Sequence, residues 1–525
     1  MSIPVPPPYH TWRRWVPFLT VVLCAILFDG LFWEYELGLN LFLFSTLVTV
    51  ALVMRYGWNG LSVAARTALI GSVISASMVV VHDSIVARLG AIVSLTVFTA
   101  LAHERELRSL IYAVPQVFVN FLMVPIAAWD GAGVLTQGHR APRTGWRWIR
   151  LGLLPIIVGS VFFQLYCVGN PRFDQLTAGF LNGFWEALSD LFSEFLTPHA
   201  FFFLFALVAC AGLLYRQAPG FLLQLELRWT DLLQRRRAKR PHWLAPRALN
   251  PLERERRMGM VLLIIVNALL LVVNVIDISW VWFDFVVPEG FSLKQFVHEG
   301  TWTLIASILL SILILLHLFR GNLNFYARTG TLKLLALLWI VQNFILGLSV
   351  FLRNYHYISF HGLAYKRIGV IVFLALVLVG LVTLYVKVRQ RKSLFYLARV
   401  NAWAAFVVLV GLTLVDWDSF IVRTNLNHPN KGEVDIDNYL AMSDKVLPLL
   451  YANIDHVEAQ MAQHRLNNVR WVEHLDPIEF RDELDAKRAR FVERYGKQRW
   501  PEWNLADRRT MAALLMVDKV DRSER

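Results

Sequence analysis

Twelve apolar segments recur along this 525-residue chain. An α-helix needs about 20 apolar residues to cross a hydrocarbon core of about 30 Å. In that core every backbone N–H and C=O must be satisfied internally, which favours helices. We therefore predict an all-α fold, a polytopic transmembrane helical bundle of about 11–12 spans. The segments are Trp15–Trp33, Gly38–Met54, Ala64–Val81, Leu89–Leu101, Leu107–Trp129, Leu151–Gly169, Ala200–Tyr215, Met258–Phe283, Gly300–Phe319, Leu332–Leu352, Ile368–Val386 and Val400–Val415.

The composition also indicates a membrane protein. Hydrophobic residues make up 56% of the chain and charged residues 17%, whereas soluble domains carry about 25% charged residues. The 19 Trp and 35 Phe residues suit aromatic belts at two membrane interfaces. Cys24, Cys167 and Cys210 all lie in apolar segments. We interpret them as packing residues that neither form disulfides nor bind zinc.

The distribution of basic residues predicts how the chain crosses the membrane. Lys and Arg concentrate on the cytoplasmic side, which places "GHRAPRTGWRWIR", residues 216–257 and "KVRQRK" inside. An odd number of spans cannot join an inside N-terminus to an inside linker, and Leu89–Leu101 covers only about 20 Å as a helix. We therefore predict that Leu89–Leu101 does not span and that "HERELR" lies outside. The remaining eleven segments would cross a bacterial inner membrane.

Four regions follow from this pattern. Residues 1–215 and 258–415 form two membrane halves, 216–257 form a basic cytoplasmic linker, and 416–525 form a polar helical tail domain in the periplasm. In the linker, "GFLLQLELRWTDLL" puts Leu222, Leu225, Trp229 and Leu232 on one face, followed by "RRRAKR". This pattern predicts an interfacial helix against anionic lipid. The alternative is a binding site for a cytoplasmic protein.

The tail is predicted to form amphipathic helices. "GEVDIDNYLAMSDKVLPLL" offers Asp435 or Asp437 as a helix cap, and "DPIEFRDELDAKRARFVERYG" and "NLADRRTMAALLMV" indicate further helices. We expect the faces around Leu440–Leu450 and Trp500–Trp503 to dock a protein partner. The net charge of +13 comes from short basic runs between spans, so we expect no nucleic-acid partner.

A histidine and a glutamate stand side by side in "KQFVHEGTWTLIASILL", just before an apolar run. His298 and Glu299 are the candidate catalytic residues. With Asp277, His356 and His361 they are also candidate metal ligands at the outer surface. The alternative is the polar rim of a span, because the charge rule and a helix dipole both favour acids there. The sequence names no cofactor.

Neutral amides lie near the predicted midplane of three spans. Amides of this kind mostly hydrogen-bond between helices, for about 1 kcal/mol or less, and a path for neutral solutes is the alternative. The predicted spans hold no ionised residue at midplane, which argues against an ordinary ion-coupled transporter. The amides are Gln116, Asn120, Asn267, Gln342 and Asn343.

Several stretches occur in a characteristic order: "EYELGLNLFLFS", "FVHEGTWTLIASILL", "FRGNLNF", "HGLAYKRIGVIVFLALVLVGL", "WDSFIVRTNLNHPNKGEVDIDNYL" and "WPEWNLADRR". Together they resemble an uncharacterised family of bacterial multi-span membrane proteins, the domain of unknown function 4173 type in its Bacteroidetes-like version. The resemblance is strongest from about Met258 onward. It implies an inner-membrane location, and it transfers neither an activity nor a catalytic residue.

The function that we expect is non-catalytic. The chain would be an envelope scaffold or signalling component that acts through its tail and linker, with membrane lipid as a constant partner. One alternative is a membrane-embedded enzyme or lipid-handling protein that uses the outer His and acid cluster. Another is a carrier of neutral or amphipathic solutes lined by the amides.

Overall fold

The computed structural model describes residues 15–135, 197–216, 220–235, 251–283, 293–427, 434–466 and 475–523, with scattered positions between 155 and 183. Across these residues the chain is helical, apart from turns and an isolated backbone bridge. The helices before the tail are α1 (Trp15–Phe32), α2 (Leu39–Tyr56), α3 (Val63–His82), α4 (Ile85–His103), α5 (Leu110–Leu135), α6 (Pro198–Leu214), α7 (Phe221–Leu227), α8 (Pro251–Asp277), α9 (Leu293–Leu318), α10 (Gly330–His361), α11 (Tyr365–Gln390) and α12 (Leu394–Thr413). The tail contains α13 (Trp417–Leu426), α14 (Asn438–Ala441), α15 (Leu447–Ala452), α16 (Ile454–Leu466), α17 (Pro477–Lys497) and α18 (Leu505–Ser523).

Most of these helices before the tail are apolar enough for a membrane. Eight have the length and hydropathy to cross it, namely α2, α3, α4, α8 with its extension, α9, α10, α11 and α12. The described parts of α1, α5 and α6 are shorter and apolar. Large apolar side chains are exposed on them, such as Leu269 (64%) and Val272 (59%) on α8. Such surfaces suit lipid rather than water, so the predicted multi-pass helical membrane fold is confirmed.

The prediction that Leu89–Leu101 is too short to span was wrong. The segment belongs to α4, which has 19 residues and begins at a Ser84 cap whose hydroxyl accepts from the N–H of Ala87. Gly90 lets α4 approach its neighbours closely, because a Cβ there would collide with Thr413. The predicted segment began at Leu89 and so omitted Ile85–Arg88, the first turn of the helix. The odd number of apolar segments before the linker must therefore be explained by a segment other than Leu89–Leu101. The segment Leu151–Gly169 lies largely outside the described residues.

The bundle has two ends, which we name by what lies against them. The tail face carries the α1–α2, α3–α4 and α10–α11 turns, and the linker face carries the opposite helix ends. The segment "HERELR" lies at the linker face, where Glu104 pairs with Arg216 at 2.8 Å and His103 contacts the carbonyl of Leu213. Its predicted location on the side of the tail is therefore wrong.

Helix α12 joins the two membrane halves. It packs against α11 and also against α3, α4 and α5 of the first half. Trp403 donates its indole N–H to the carbonyl of Arg108 at 3.0 Å, and the ring of Phe406 fills the space beside Gly71. The last span thus belongs to the packing of both halves.

The tail has a hydrophobic core of its own. Tyr439, Phe480 and Phe491 are almost fully buried in it. Leu363, from the α10–α11 turn of the membrane part, is buried in the same core. Helix α17 begins at a capping box formed by Asp476 and Glu479. The helices predicted from "DPIEFRDEL" and "NLADRR" are confirmed.

One predicted tail helix is broken into short pieces. The stretch from Asn438 to Ala452 forms α14, a 3₁₀ turn at Asp444–Val446 and α15. Asp435 accepts from the N–H of Asn438 at 3.2 Å, whereas Asp437 gives α14 no side-chain cap. Val446, Leu447 and Leu450 are fully buried in the tail core. The apolar face that we expected to dock a partner is therefore covered within the chain.

The linker helix is shorter than predicted. It ends at Leu227, so Trp229 and Leu232 lie beyond it, and Leu232 instead forms a backbone bridge with Lys392. Glu226 is fully buried and accepts from the N–H groups of Arg108 and Ser109, just before α5. A carboxylate at a helix N-terminus is favourable, so this contact ties the linker to the bundle.

Candidate functional site

A line of polar side chains, most of them buried, joins α8 to α10, two helices that run parallel because α9 returns between them. We call it the polar seam. Residues seven positions apart, such as Asn267 and Asn274 or Gln342 and Ser349, return to nearly the same helix face, which aligns the two sets. On the α8 side they are Asn267, Asn274, Asp277 and Trp282, and on α10 they are Gln342, Ser349, Arg353 and His356.

The inner part of the seam consists of neutral amides. Gln342 donates to the side-chain oxygen of Asn267 at 2.9 Å, and Asn267 donates to the carbonyl of Leu335 at 3.1 Å. Asn274 donates to the backbone carbonyl of Gln342 at 3.1 Å. Asn343 instead binds within its own helix, to the carbonyl of Trp339 at 2.8 Å. These contacts support the interhelical packing interpretation of Asn267 and Gln342.

The seam continues through a widened turn. Residues Ile278–Phe283 extend α8 as a π-helix, a rare element that re-aims side chains. Trp282 donates its indole N–H to Ser349 Oγ at 2.9 Å. His356 Nε2 lies 3.1 Å from the carbonyl of Val281. The extension therefore keeps its polar contacts with α10 beyond the regular end of α8.

An ion pair closes the seam towards the tail face. Arg353 Nη2 lies 2.5 Å from Asp277 Oδ1, and the two side chains are 8% and 4% exposed. Removing one member of such a pair leaves an uncompensated buried charge, at a cost of about 3–5 kcal/mol. The sequence-based prediction placed Asp277 in a metal cluster and missed Arg353. The available signal was an arginine that broke the charge rule in "FLRNYHY".

His298 and Glu299 lie in the first turns of α9, and their side chains fall outside the described part of the structure. Gly300 follows them and packs against Arg353, since a Cβ there would lie 3.2 Å from Nη1. The backbone of the motif is thus brought next to the Asp277–Arg353 pair. The catalytic role of His298 and Glu299 stays a prediction.

The other three candidate metal ligands have partners already. Asp277 binds Arg353, and His356 contacts a backbone carbonyl. His361 is buried between aromatic rings, 4.6 Å from the ring centroid of Tyr357. Within the described ranges no three His, Cys, Asp or Glu residues are grouped to hold a metal. A metal site that includes His298 and Glu299 stays a prediction.

Gln116 and Asn120 lie on α5 and bind groups at the ends of α4 and α6. Gln116 donates to Glu104, the residue that ends α4, at 3.4 Å. Asn120 donates to the carbonyls of Gly212 and Tyr215, at 2.8 Å for Tyr215. These carbonyls end α6 and lack partners within that helix. The two amides thus satisfy polar groups at helix ends, and their depth in the membrane stays a prediction.

Charged contacts fasten the tail to the bundle. Lys445, with a side chain only 7% exposed, donates to the carbonyl of His82 at 2.6 Å and pairs with Asp416 at 3.0 Å. The carbonyl belongs to the last turn of α3, where a cation is favoured by the helix dipole. Lys445 therefore holds the end of a membrane helix and the start of the tail together. We call this region the tail junction.

A second cation extends the tail junction. Arg494 on α17 lies 2.9 Å from Asp444, 3.4 Å from Asp507 and 3.8 Å from Glu36 in the α1–α2 turn. Arg494 is 43% exposed, so each of its pairs is weaker than a buried one. The tail thus reaches two separate turns of the first membrane half through charge.

Two carboxylates, one at the tail junction and one on the linker, have pKa values raised by burial. Burial raises the pKa of Asp83, at the α3–α4 turn, although Arg88 lies 2.6 Å away. Burial likewise raises the pKa of Glu226 on the linker, against the opposing N–H bonds from Arg108 and Ser109.

Comparison with known proteins gives a family but no activity. No curated protein and no solved structure matches this chain significantly. The family model described as Domain of unknown function (DUF4153) matches residues 67–453. The match covers most of the membrane part and the start of the tail. It corrects the expected 4173 type, although both families are uncharacterised. The chain belongs to the DUF4153 family.

Proposed function

We propose that this chain is a non-catalytic scaffold or signalling component of a bacterial inner membrane. In this proposal the tail holds the two membrane halves together as a clamp. A change in the arrangement of the halves would reach a partner protein through the tail. The single observation that carries the proposal is that the tail contacts turns of both halves. Residues far apart in sequence thus converge on one small domain.

The contact with the first half is a close backbone approach. The N–H of Leu39 donates to the carbonyl of Trp503 at 2.9 Å. Gly38 lies so near Glu502 that any Cβ there would collide with the backbone. Asn40 stiffens the same turn by donating to the carbonyls of Leu31 and Glu36, at 2.9 and 2.8 Å. The tail therefore meets a rigid turn.

In the contact with the second half, one side-chain amide bonds to both backbone groups of a single residue. The side chain of Asn425 on α13 accepts from the N–H of Leu363 at 2.6 Å and donates to its carbonyl at 2.9 Å. Gly362 makes this possible, since its φ of +77° and its closeness to Asn425 both disfavour a side chain. A relative shift of the halves would have to break one of these contacts. Such coupling suits a signalling component.

The orientation in this proposal follows the basic residues. The linker face carries Arg55, Arg216, Arg256, Arg257, Lys387 and Arg391, which would be cytoplasmic by the positive-inside rule. The tail would then be periplasmic. An impermeant thiol reagent should label a cysteine placed at exposed Ile478 in intact cells. Protection of that cysteine would contradict the periplasmic tail.

Complementation of a deletion strain tests the proposed function. We expect the double variant His298→Ala with Glu299→Gln to restore growth and lipid profile as the wild type does. We expect Asn425→Ala, which removes the contact with Leu363, to restore them poorly at equal membrane abundance. The reverse pattern would favour the membrane-embedded enzyme.

A further inference from the structure

A polar cavity of about 210 Å³ lies in the tail junction. This volume exceeds by far what a single water needs, about 10–15 Å³. Its walls come from the α3–α4 turn and from the tail. They carry three cations, three carboxylates, one hydroxyl and one apolar side chain: Asp83, Ile85, Arg88, Ser443, Asp444, Lys445, Arg494 and Asp507.

The walls offer both signs of charge within one small volume. Arg88 pairs with Asp83, and Arg494 pairs with Asp444 and Asp507. A purely anionic ligand would face three carboxylates, and a purely cationic ligand would face three cations. A ligand that carries an anion and a cation a few bonds apart leaves both signs compensated. The charges of the cavity therefore suit a zwitterion better than a ligand of one sign.

Asp83 is the wall residue best suited to receive a further cation. Both nitrogens of Arg88 that contact it bind the same oxygen, Oδ1, at 3.1 and 2.6 Å. The raised pKa of Asp83, caused by burial, indicates that this one-sided pair does not fully compensate the carboxylate. An ammonium group would add donors to the remaining oxygen. Asp83 also has a φ of +43°, a left-handed conformation that costs energy for a non-glycine residue.

An apolar stripe leads from the cavity along α4. Ile85, in the first turn of the helix, lines the cavity and is 74% exposed. Leu89 and Ile92 follow at 54% and 47% exposure. Residues at i, i+4 and i+7 share one helix face, so the three form a lipid-facing track. The start of a membrane-spanning helix also places the cavity at the level of lipid headgroups.

We propose that the cavity binds the headgroup of a phospholipid with a primary ammonium group, of the phosphatidylethanolamine type. Arg88 and Lys445 would hold the phosphate, Asp83 would hold the ammonium, and an acyl chain would follow Ile85 and Leu89. This site goes beyond the scaffold proposal. Lipid selectivity and complementation are separate measurements, so either proposal can fail alone.

Native mass spectrometry of the full-length, delipidated protein tests the site. The three probes share the same acyl chains and carry phosphoethanolamine, phosphocholine or phosphoglycerol headgroups. We expect the ethanolamine lipid to bind about tenfold more tightly than the choline lipid, because N-methylation removes every N–H donor. Equal binding of the three lipids by the wild type would overturn the proposal. Preference for the glycerol lipid would also overturn it, since it would reveal a plain anion site.

Variants and a free headgroup sharpen the same test. Asp83→Asn should reduce the ethanolamine preference to near equality, whereas Arg481→Gln, in an exposed tail ion pair with Glu458, should keep it. Retention of the full preference by Asp83→Asn would contradict the assigned ammonium partner. Soluble phosphoethanolamine should compete only weakly, because it lacks the chain that follows Leu89. If it binds as tightly as the lipid, the ligand is a free zwitterion and the lipid assignment is wrong. The thermal midpoint of each variant in choline lipid separates misfolding from lost recognition.

Discussion

The polar seam and the tail junction both join separate parts of the chain through polar groups, but their chemistry differs. The seam uses neutral amides, with one tightly closed ion pair between Asp277 and Arg353. The tail junction uses several charges, among them Lys445 and Arg494. A charged side chain costs a few kcal/mol at the centre of a helix in hydrocarbon, whereas water screens charges at the membrane surface. The surroundings therefore decide which polar groups can join helices.

This difference has a functional consequence. Most contacts in the seam are buried, so salt screens them much less than it screens exposed charges. The ion pairs of Arg494 at the tail junction are partly exposed and will weaken as ionic strength rises. The tail is therefore the part of this protein whose attachment the surroundings can modulate.

The largest expected effect comes from breaking the seam's ion pair. Arg353→Leu leaves Asp277 buried and unpaired, so we expect the free energy of unfolding to fall by about 3–5 kcal/mol. Chemical unfolding in detergent measures this change. The double variant Asp277→Leu with Arg353→Leu should recover most of the loss. No recovery would show that the two residues do not act as a pair.

Next in size is the removal of the main cation of the tail junction. Lys445→Met removes the donor of the carbonyl of His82 and the cation beside Asp416. Asp416 keeps the hydrogen bond from the hydroxyl of Ser419. We expect a loss of about 2–3 kcal/mol in tail docking. The measurement is the rate of limited proteolysis of the tail, which should rise. The matched control is Lys497→Ala, whose partner Glu493 is 67% exposed and which should change nothing. Equal proteolysis of both variants would contradict the tail junction.

A smaller effect is expected inside the seam. Gln342→Leu removes the hydrogen bond to Asn267 without leaving a charge, so unfolding should become easier by about 1 kcal/mol. The difference between this variant and Arg353→Leu in free energy of unfolding compares a neutral contact with a charged contact in the same interface. A loss as large as that of Arg353→Leu would show that the amide has a role beyond packing.

The smallest effect concerns pH at the linker. The folded pKa of Glu226 is raised above its ordinary value of 4.5 by burial. The stabilising contribution of its proton is therefore complete below about pH 4.5 and is lost as pH rises through the folded pKa. Glu226→Gln keeps an acceptor for the N–H groups of Arg108 and Ser109 without this ionisation. The midpoint of the wild type relative to that of Glu226→Gln should fall with rising pH, and a constant difference would contradict the shift.

Hydropathy predicted most of the membrane helices because lipid demands long apolar runs. It failed at α4, where Ile85–Arg88 add the first turn and Arg88 is neutralised by Asp83. An apolar run ends at the first charge, but a helix can continue past it when a partner lies close. The cap at Ser84 was a readable signal for this start.

The pairs that define the seam and the tail junction were not predictable from periodicity. Arg353 pairs with Asp277, which lies 76 positions away, and Leu39 bonds to Trp503, near the opposite end of the chain. The periodicity of a local sequence segment does not indicate which distant residues it contacts in the fold. The contact of Asn120 with the end of α6 was not predictable for the same reason, because Asn120 and Tyr215 lie 95 positions apart.

The most direct test of the clamp is a disulfide between Leu39→Cys and Trp503→Cys, with Cys24, Cys167 and Cys210 replaced by alanine and a protease site inserted within residues 236–250. Their backbones are hydrogen-bonded at 2.9 Å, and a disulfide joins residues whose α-carbons lie about 4.4–6.8 Å apart. After oxidation in native membranes and cleavage of the linker, we predict one band under non-reducing conditions and two after reduction. Two bands before reduction, as in the Leu39→Cys single variant, would contradict a tail that is fastened to the first membrane half.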